Sequence, residues 1–274
     1  MHSDEYCVSY NFLEAEDSFR EDGLEPITLA VHGTAEMLSL IEKKPANWDG
    51  PISFGLFVDF HSKEALEYIS DVHRCDEEFR KKVTVHFAFR LSAFQDICPS
   101  ITIASKNREC MEFLKNRDKY RAGIKGPFQL YPSNLMRNIA RHGAKSDIHF
   151  IADGDMVMNT SDEISAWEIP YSSSLWEVQV ILHRNDLYNA DYFPARIKVM
   201  QSLVYSLCRA NYTFNLLSHV FNVHEGIKLD DTNYSKSVIA HSKKYGRKIA
   251  YDRYVKEMDE HYPSTLTRCG KFVM

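Results

Sequence analysis

Residues 131–158 read YPSNLMRNIARHGAKSDIHFIADGDMVM, and this stretch decides the fold. Pro132 suits the first turn of a helix, where its missing N–H is no loss. Leu135, Met136, Ile139 and Ala140 recur on one face at helical spacing, and Gly143 is a C′ stop. Ile148 to Ala152 is a short apolar run, long enough for a buried strand. It ends in Asp153-Gly154-Asp155. In open α/β sheets, ligands gather beyond the carboxyl ends of the strands. Two carboxylates there, a glycine apart, make an oxygen site for a hard cation such as Mn²⁺ or Mg²⁺. Taken alone, such a triplet is also an ordinary turn whose Asp side chains bond backbone N–H groups. The strand before it and a further ligand candidate downstream favour the metal.

Working outward, Ile27 to Val31 predicts a first strand and His32-Gly33-Thr34 a turn, with Thr34 capping a helix to about Lys44. Ile52 to Phe60 predicts a second strand. Ser62 caps a helix carrying Ala65, Leu66 and Ile69, and Val83 to Phe89 is a third strand. This β-α-β-α-β order implies a parallel sheet with helices on its faces. Residues 92–128 are irregular, with one charged piece, Lys106 to Arg121, readable as a helix. Asn159 to Ser174 reads as a polar loop, Leu175 to Leu182 as a strand and Pro194 to Arg209 as a helix. Tyr212 to Val223 is strand-rich, and Tyr234 to Tyr262 is helical and charged. Residues 1–25 are acidic and lack a period, so they read as a poorly structured lead-in with at most one short helix.

The chain has 274 residues, 44% of them hydrophobic, enough for one sizeable core. Its net charge of −5 is not the basic footprint of a nucleic-acid binder. No apolar run approaches the roughly 20 residues that span a bilayer, and the first residues show neither the basic nor the apolar region of a signal peptide. The expectation is a soluble chain, or one whose anchor lies outside this sequence. The six cysteines form no C-x-x-C pair, which speaks against structural zinc. Their even number permits disulfides without demanding them. Glycosylation triplets stand at Asn159, Asn211 and Asn233, mildly favouring a secretory lumen.

The chemistry-bearing constellation adds His224-Glu225-Gly226-Ile227-Lys228, after the apolar run FNLLSHVFNV. A neutral imidazole at His224 can complete a metal site begun by Asp153 and Asp155. Gly226 lets backbone approach a phosphate, and Lys228 can sit on the same anion as a point charge. The plainer account is a strand-end turn with a surface His and Lys. A strand-end Asp-x-Asp with a late His-x-Gly-x-Lys suggests nucleotide-sugar chemistry, in which a metal neutralises the departing diphosphate. An inverting enzyme then needs a carboxylate base for the acceptor hydroxyl. A nucleotidyltransferase would use a similar metal pair, but no Gly-rich phosphate loop follows the first strand. The basic residues Lys236, Lys243, Lys244, Arg247 and Lys248 suit either an anionic glycan or, more simply, solvent.

Together with WDGPISFGLFV, WEVQVILHR, FNVHEGIK and YPSTLTRC, the opening stretch resembles the β-1,4-glucuronyltransferase and LARGE-type glycosyltransferases (family 49) in order along Pro26 to Cys269. The resemblance implies a GT-A α/β fold, a Rossmann-like, mainly parallel sheet flanked by helices. It implies one domain over 26–269, with a nucleotide-binding half at 26–158 and an acceptor half at 159–269. It implies a UDP-sugar donor, Mn²⁺ (or Mg²⁺), inversion, and transfer of glucuronic acid to a xylose-type glycan acceptor, in the Golgi, through an anchor absent from this sequence. Residue by residue, Asp153, Asp155 and His224 match the metal ligands. Gly226 and Lys228 match the diphosphate contacts, and Val31-His32-Gly33 the uridine end. Asn134, Arg137 and Asn138 match the motif on the preceding helix. For Arg137, nucleotide or sugar-carboxylate binding stands beside a plain helix salt bridge. The family's long stretch after the metal motif is reduced here to Met156 to Leu175, which shortens the acceptor half. Glu177 is the base candidate and Glu168 the second. The alternative is a catalytically inactive relative that binds nucleotide, glycan or a partner protein.

Overall fold

The computed structural model describes residues 5–20, 23–101, 103, 108–160, 163–224 and 233–273. The chain divides into two compact units. The first comprises 1–131, 139–155 and 181–184; the second comprises 132–138, 156–180 and 185–274.

The first unit is built on a six-stranded mixed sheet of order β1-β4-β3-β2-β5-β8. Strands β2 (Ile27–Gly33), β3 (Ile52–Phe57) and β4 (Val83–Arg90) run parallel, as does β5 (Ile148–Ile151) beside β2. Their residues are buried almost without a break, as expected of a sheet covered on both faces. β8 (Val180–His183) closes one edge. The other edge corrects the expectation for the N-terminal residues: Tyr6–Leu13 is no loose lead-in but strand β1, antiparallel to β4. The register shifts between Ser9 and Leu13, where Asn11 adopts φ 51°, which breaks the alternation that marks a strand in sequence.

Helices in this unit depart from the expected caps. Thr34 makes no side-chain cap. A 3₁₀ turn leads instead to the short α1 (Leu38–Ile41), with Leu38 and Ile41 buried. β3 ends at Phe57, not Phe60, because Asp59 and Ser62 fold the chain into a turn: Ser62 N–H donates to the Asp59 carboxylate (3.1 Å) and Asp59 N–H donates to the Ser62 hydroxyl (2.9 Å). Ser62 therefore serves that turn and does not cap α2 (Glu64–Cys75). Asp76 does cap α3 (Glu77–Lys82), accepting from Phe79 N–H, and Glu109 caps α4 (Cys110–Ala122).

Helix α5 (Ser133–Gly143) has Leu135, Met136, Ile139 and Ala140 buried, as the spacing predicts. Gly143 is its last residue, and its small size serves close packing: an added Cβ would lie 2.1 Å from His86 Nε2. The buried His86 accepts the Asn11 N–H at Nδ1 (2.9 Å) and lies 3.0 Å from the Ser53 hydroxyl, which donates to the carbonyl of Ala140.

In the second unit, the segment 159–174, expected to be a loop, takes in the end of one short strand and the whole of another. β6 (Met156–Thr160) pairs antiparallel with β10 (Val220–His224), and β7 (Ala166–Ile169) with β9 (Phe214–Leu217). The strand expected from Leu175 shrinks to β8, and Leu175 itself is exposed. Helix α6 (Val199–Arg209) starts later than expected, after Lys198 in a left-handed conformation. The C-terminal helical region is α7 (Asn233–His241), a π-helical turn (Ser242–Gly246) and α8 (Arg247–His261), followed by α9 (Leu266–Cys269). Phe193, Tyr205, Tyr254, Met258 and Phe272 form its core. Arg209, 1% exposed, bonds Asp259 (2.9 Å) and donates to the carbonyls of Met258 (3.0 Å) and Tyr262 (2.8 Å), closing the end of α8.

All six cysteines pair, as Cys7–Cys98, Cys75–Cys110 and Cys208–Cys269. No described helix is long and apolar enough to cross a membrane.

Candidate donor and metal site at the carboxyl edge of the sheet

From β2 the chain winds outward through β3 to β4, then returns to place β5 on the other flank of β2. The gap between β2 and β5 is therefore the point where strand order reverses, the place at which ligands of open α/β sheets bind. Asp153-Gly154-Asp155 leaves β5 at this point, after Ala152 N–H donates to the carbonyl of Ala30 (3.2 Å). His32 stands at the matching end of β2.

The corner is tightly built. A Cβ on Gly154 would meet Met37 Cε at 2.9 Å and the His32 carbonyl oxygen at 3.2 Å, so the residue between the two carboxylates has little room for a side chain. Asp153 is 34% exposed, and its carboxylate lies 3.8 Å from His32 Nε2. The other ring nitrogen of His32 shares a hydrogen bond with the Tyr131 hydroxyl, and the two rings stack at 5.7 Å. That bond fixes how the imidazole is turned. Val31 is fully buried, so at that position the backbone is what a ligand would meet.

Two residues of this corner carry no sequence signal. Tyr131 lies 99 positions from His32. Asp59, buried at the turn after β3, accepts N–H bonds from Phe128 (2.6 Å) and Gln129 (3.0 Å) as well as from His61 (2.9 Å) and Ser62. Burial pushes its carboxyl pKa up, but these backbone donors outweigh burial and hold it below the usual value. Asp59 thereby anchors the segment that delivers Tyr131 to His32.

The other anticipated residues lie in the second unit. Asn134 donates to the carbonyl of Ala190 (2.8 Å) and accepts from Asn189 (3.3 Å), while Arg137 Nη1 reaches the Asn134 oxygen at 3.5 Å. Asn138 bonds both backbone groups of Asn189, at 2.8 and 3.0 Å. Much of this motif is thus committed to holding residues 189–190. His224 ends β10 directly opposite Met156, the residue that follows Asp155 in the chain. Glu168 is exposed on β7 opposite Asn215, and Glu177 is exposed and accepts from Gln201 (2.9 Å). Gly226 and Lys228 lie outside the described residues. Among the described residues no three His, Cys, Asp or Glu side chains stand close enough to hold a metal, Asp153, Asp155 and His224 included. In kind, two carboxylates and one imidazole suit Mn²⁺.

A family profile described as "Glycosyl-transferase for dystroglycan" matches residues 26–162 and 158–263. Over 168 residues the chain is 26% identical to the Danio rerio protein named beta-1,4-glucuronyltransferase 1; the match covers 57% of this chain. It covers 39% of that relative, so the chain corresponds to well under half of the relative's length.

Proposed function

The chain belongs to this glycosyltransferase family, and on that premise we propose that it is a metal-dependent, inverting transferase taking its sugar from a UDP-sugar. The observation that carries the reading is the Asp153-Gly154-Asp155 corner beside His32, at the point where strand order reverses. In this reading Asp153, Asp155 and His224 hold a Mn²⁺ or Mg²⁺ ion. The pairing of His224 with Met156 supports the choice of third ligand. When bound, the ion offsets the diphosphate charge and eases departure of the nucleotide. Val31 and His32 receive the uridine end, with Tyr131 keeping the imidazole in one orientation. Arg137 is assigned to the donor side, Asn134 supports it while holding residues 189–190, and Gly226 and Lys228 engage the diphosphate. The acceptor hydroxyl loses its proton to a carboxylate, Glu177 first and Glu168 second.

The donor we propose is UDP-glucuronic acid, by likeness to the glucuronyltransferase relative, and the acceptor a xylose-ended glycan. Three disulfides favour an oxidising compartment such as the Golgi lumen. A second reading, a silent relative that binds nucleotide without turnover, is favoured by one observation: both base candidates stand exposed, one of them bonded to Gln201.

A donor screen reading UDP release, with and without Mn²⁺, tests both. Mn²⁺-dependent release with UDP-glucuronic acid and a xylose-ended acceptor is expected. Mn²⁺-dependent UDP binding with no release under any donor would establish the second reading. Undiminished nucleotide affinity in Asp155→Ala would overturn the metal site.

A further inference from the structure

We propose that Asn211 carries an N-linked glycan when the chain passes through a eukaryotic secretory lumen. Asn211-Tyr212-Thr213 is an acceptor triplet with no proline at its centre. The fold places it where a glycan fits. Helix α6 ends at Arg209, Asn211 N–H donates to the carbonyl of Cys208 (2.9 Å), and Tyr212 N–H donates to that of Leu207 (3.0 Å). This is the paired bonding of a left-handed helix stop, and Asn211 has φ 69° to match. The stop projects the side chain outward: Asn211 and Thr213 are both exposed.

The amide is also held in one orientation. Arg268 donates through Nη1 to Asn211 Oδ1 and through Nη2 to the carbonyl of Tyr212 (2.9 Å). The oxygen is thus engaged by protein, and the nitrogen is the atom that accepts a sugar. A glycan on Nδ2 leaves the arginine bond intact, so folded structure and modification are compatible. The Cys208–Cys269 disulfide, beside both residues in sequence, ties the two halves of this arrangement together.

In the transfer, Asn211 Nδ2 bonds to the anomeric carbon of a lipid-pyrophosphate-linked oligosaccharide. One amide proton leaves to a base, and the anomeric C–O bond breaks with its electron pair departing on the pyrophosphate. The inference rests on the lumenal part of the function proposed above and not on its catalytic part.

The whole chain, secreted from a eukaryotic cell behind an added leader, gives the test, read by glycopeptide mass spectrometry at position 211. Wild type and Thr213→Ser are expected to carry the glycan, and Thr213→Ala to lose it. Asn211→Gly is expected to fold, since glycine prefers the left-handed stop, and to lack the modification. Secreted, fully disulfide-bonded protein with a bare Asn211 would overturn the site. Protein retained with free thiols would overturn the lumenal reading and the site with it. Turnover of the donor plays no part in either outcome.

Discussion

His32 and His86 occupy neighbouring regions of one sheet and show how the same side chain comes to do different work. His86 is sealed: Asn11, Ser53 and the close backbone of Gly143 surround it. Burial, with Lys145 adding to it, pushes its pKa down to about 4, so it stays neutral as part of the scaffold. His32 stands at a strand end, its imidazole fixed on one side by Tyr131 and facing the half-open carboxylate of Asp153 on the other. Polar groups that satisfy one another inside a core specify packing. Polar groups fixed on one side and turned toward a partly exposed carboxylate at a strand end can take part in binding. The comparison predicts that loss of the first kind unfolds the chain and that loss of the second leaves it folded.

The sharpest way to break this distinction is Asp155→Ala. Metal-dependent UDP affinity should fall by at least about 100-fold, given that even indirect partners of metal ligands cost 10–100-fold. The denaturant midpoint should barely move. Gly143→Ala should do the reverse. Its Cβ would collide with the His86 ring, costing on the order of 3 kcal/mol as overpacking, measured by denaturant unfolding, while the donor corner keeps its residues.

Acid should then separate the two regions. His86 and His149 both have folded values of about 4, below the ordinary 6.5, each mainly through burial. The unfolded chain therefore takes up protons first as pH falls. Stability is full above pH 6.5 and declines toward pH 4, by on the order of 2 kcal/mol per histidine. Asp59 has a lowered value, so its contribution is intact through that window and is lost only below about pH 3.8. Stability that stays flat from pH 6.5 to 4 would show that neither histidine is sealed. Smallest is Tyr131→Phe, which removes the hydroxyl from His32 and should cost about 1 kcal/mol, with a several-fold loss of nucleotide affinity.

The parts of this architecture that sequence makes legible are those written locally. β2, β3, β4 and β5 are apolar runs, α5 has helical periodicity, and Asp153-Gly154-Asp155 directly follows a strand. What escaped is written across distance. β1 is a strand because β4 offers it an edge, and its bulge at Asn11 hides the alternation. β7 is short and exposed, and it exists through β9, nearly fifty residues later. Ser62 looks like a helix cap until Asp59 is seen to use it. Tyr131 and Asp59 are tied to the His32 corner only through contacts 69 to 99 residues long. Which cysteine meets which is equally non-local.

Arg209 has a consequence for anyone trimming this protein. Its guanidinium is satisfied by Asp259, Met258 and Tyr262, with Thr265 and Tyr205 close by. A version cut before Asp259 would leave a permanent cation in an oily interior with its counter-ion gone. Because Asp259 is itself half-exposed, the penalty stays below the roughly 3–5 kcal/mol of a fully buried pair, yet it is a sizeable part of the roughly 5–15 kcal/mol by which a domain stays folded. Shortened forms should therefore be recognised by cellular quality control as defective before their chemistry is ever tried.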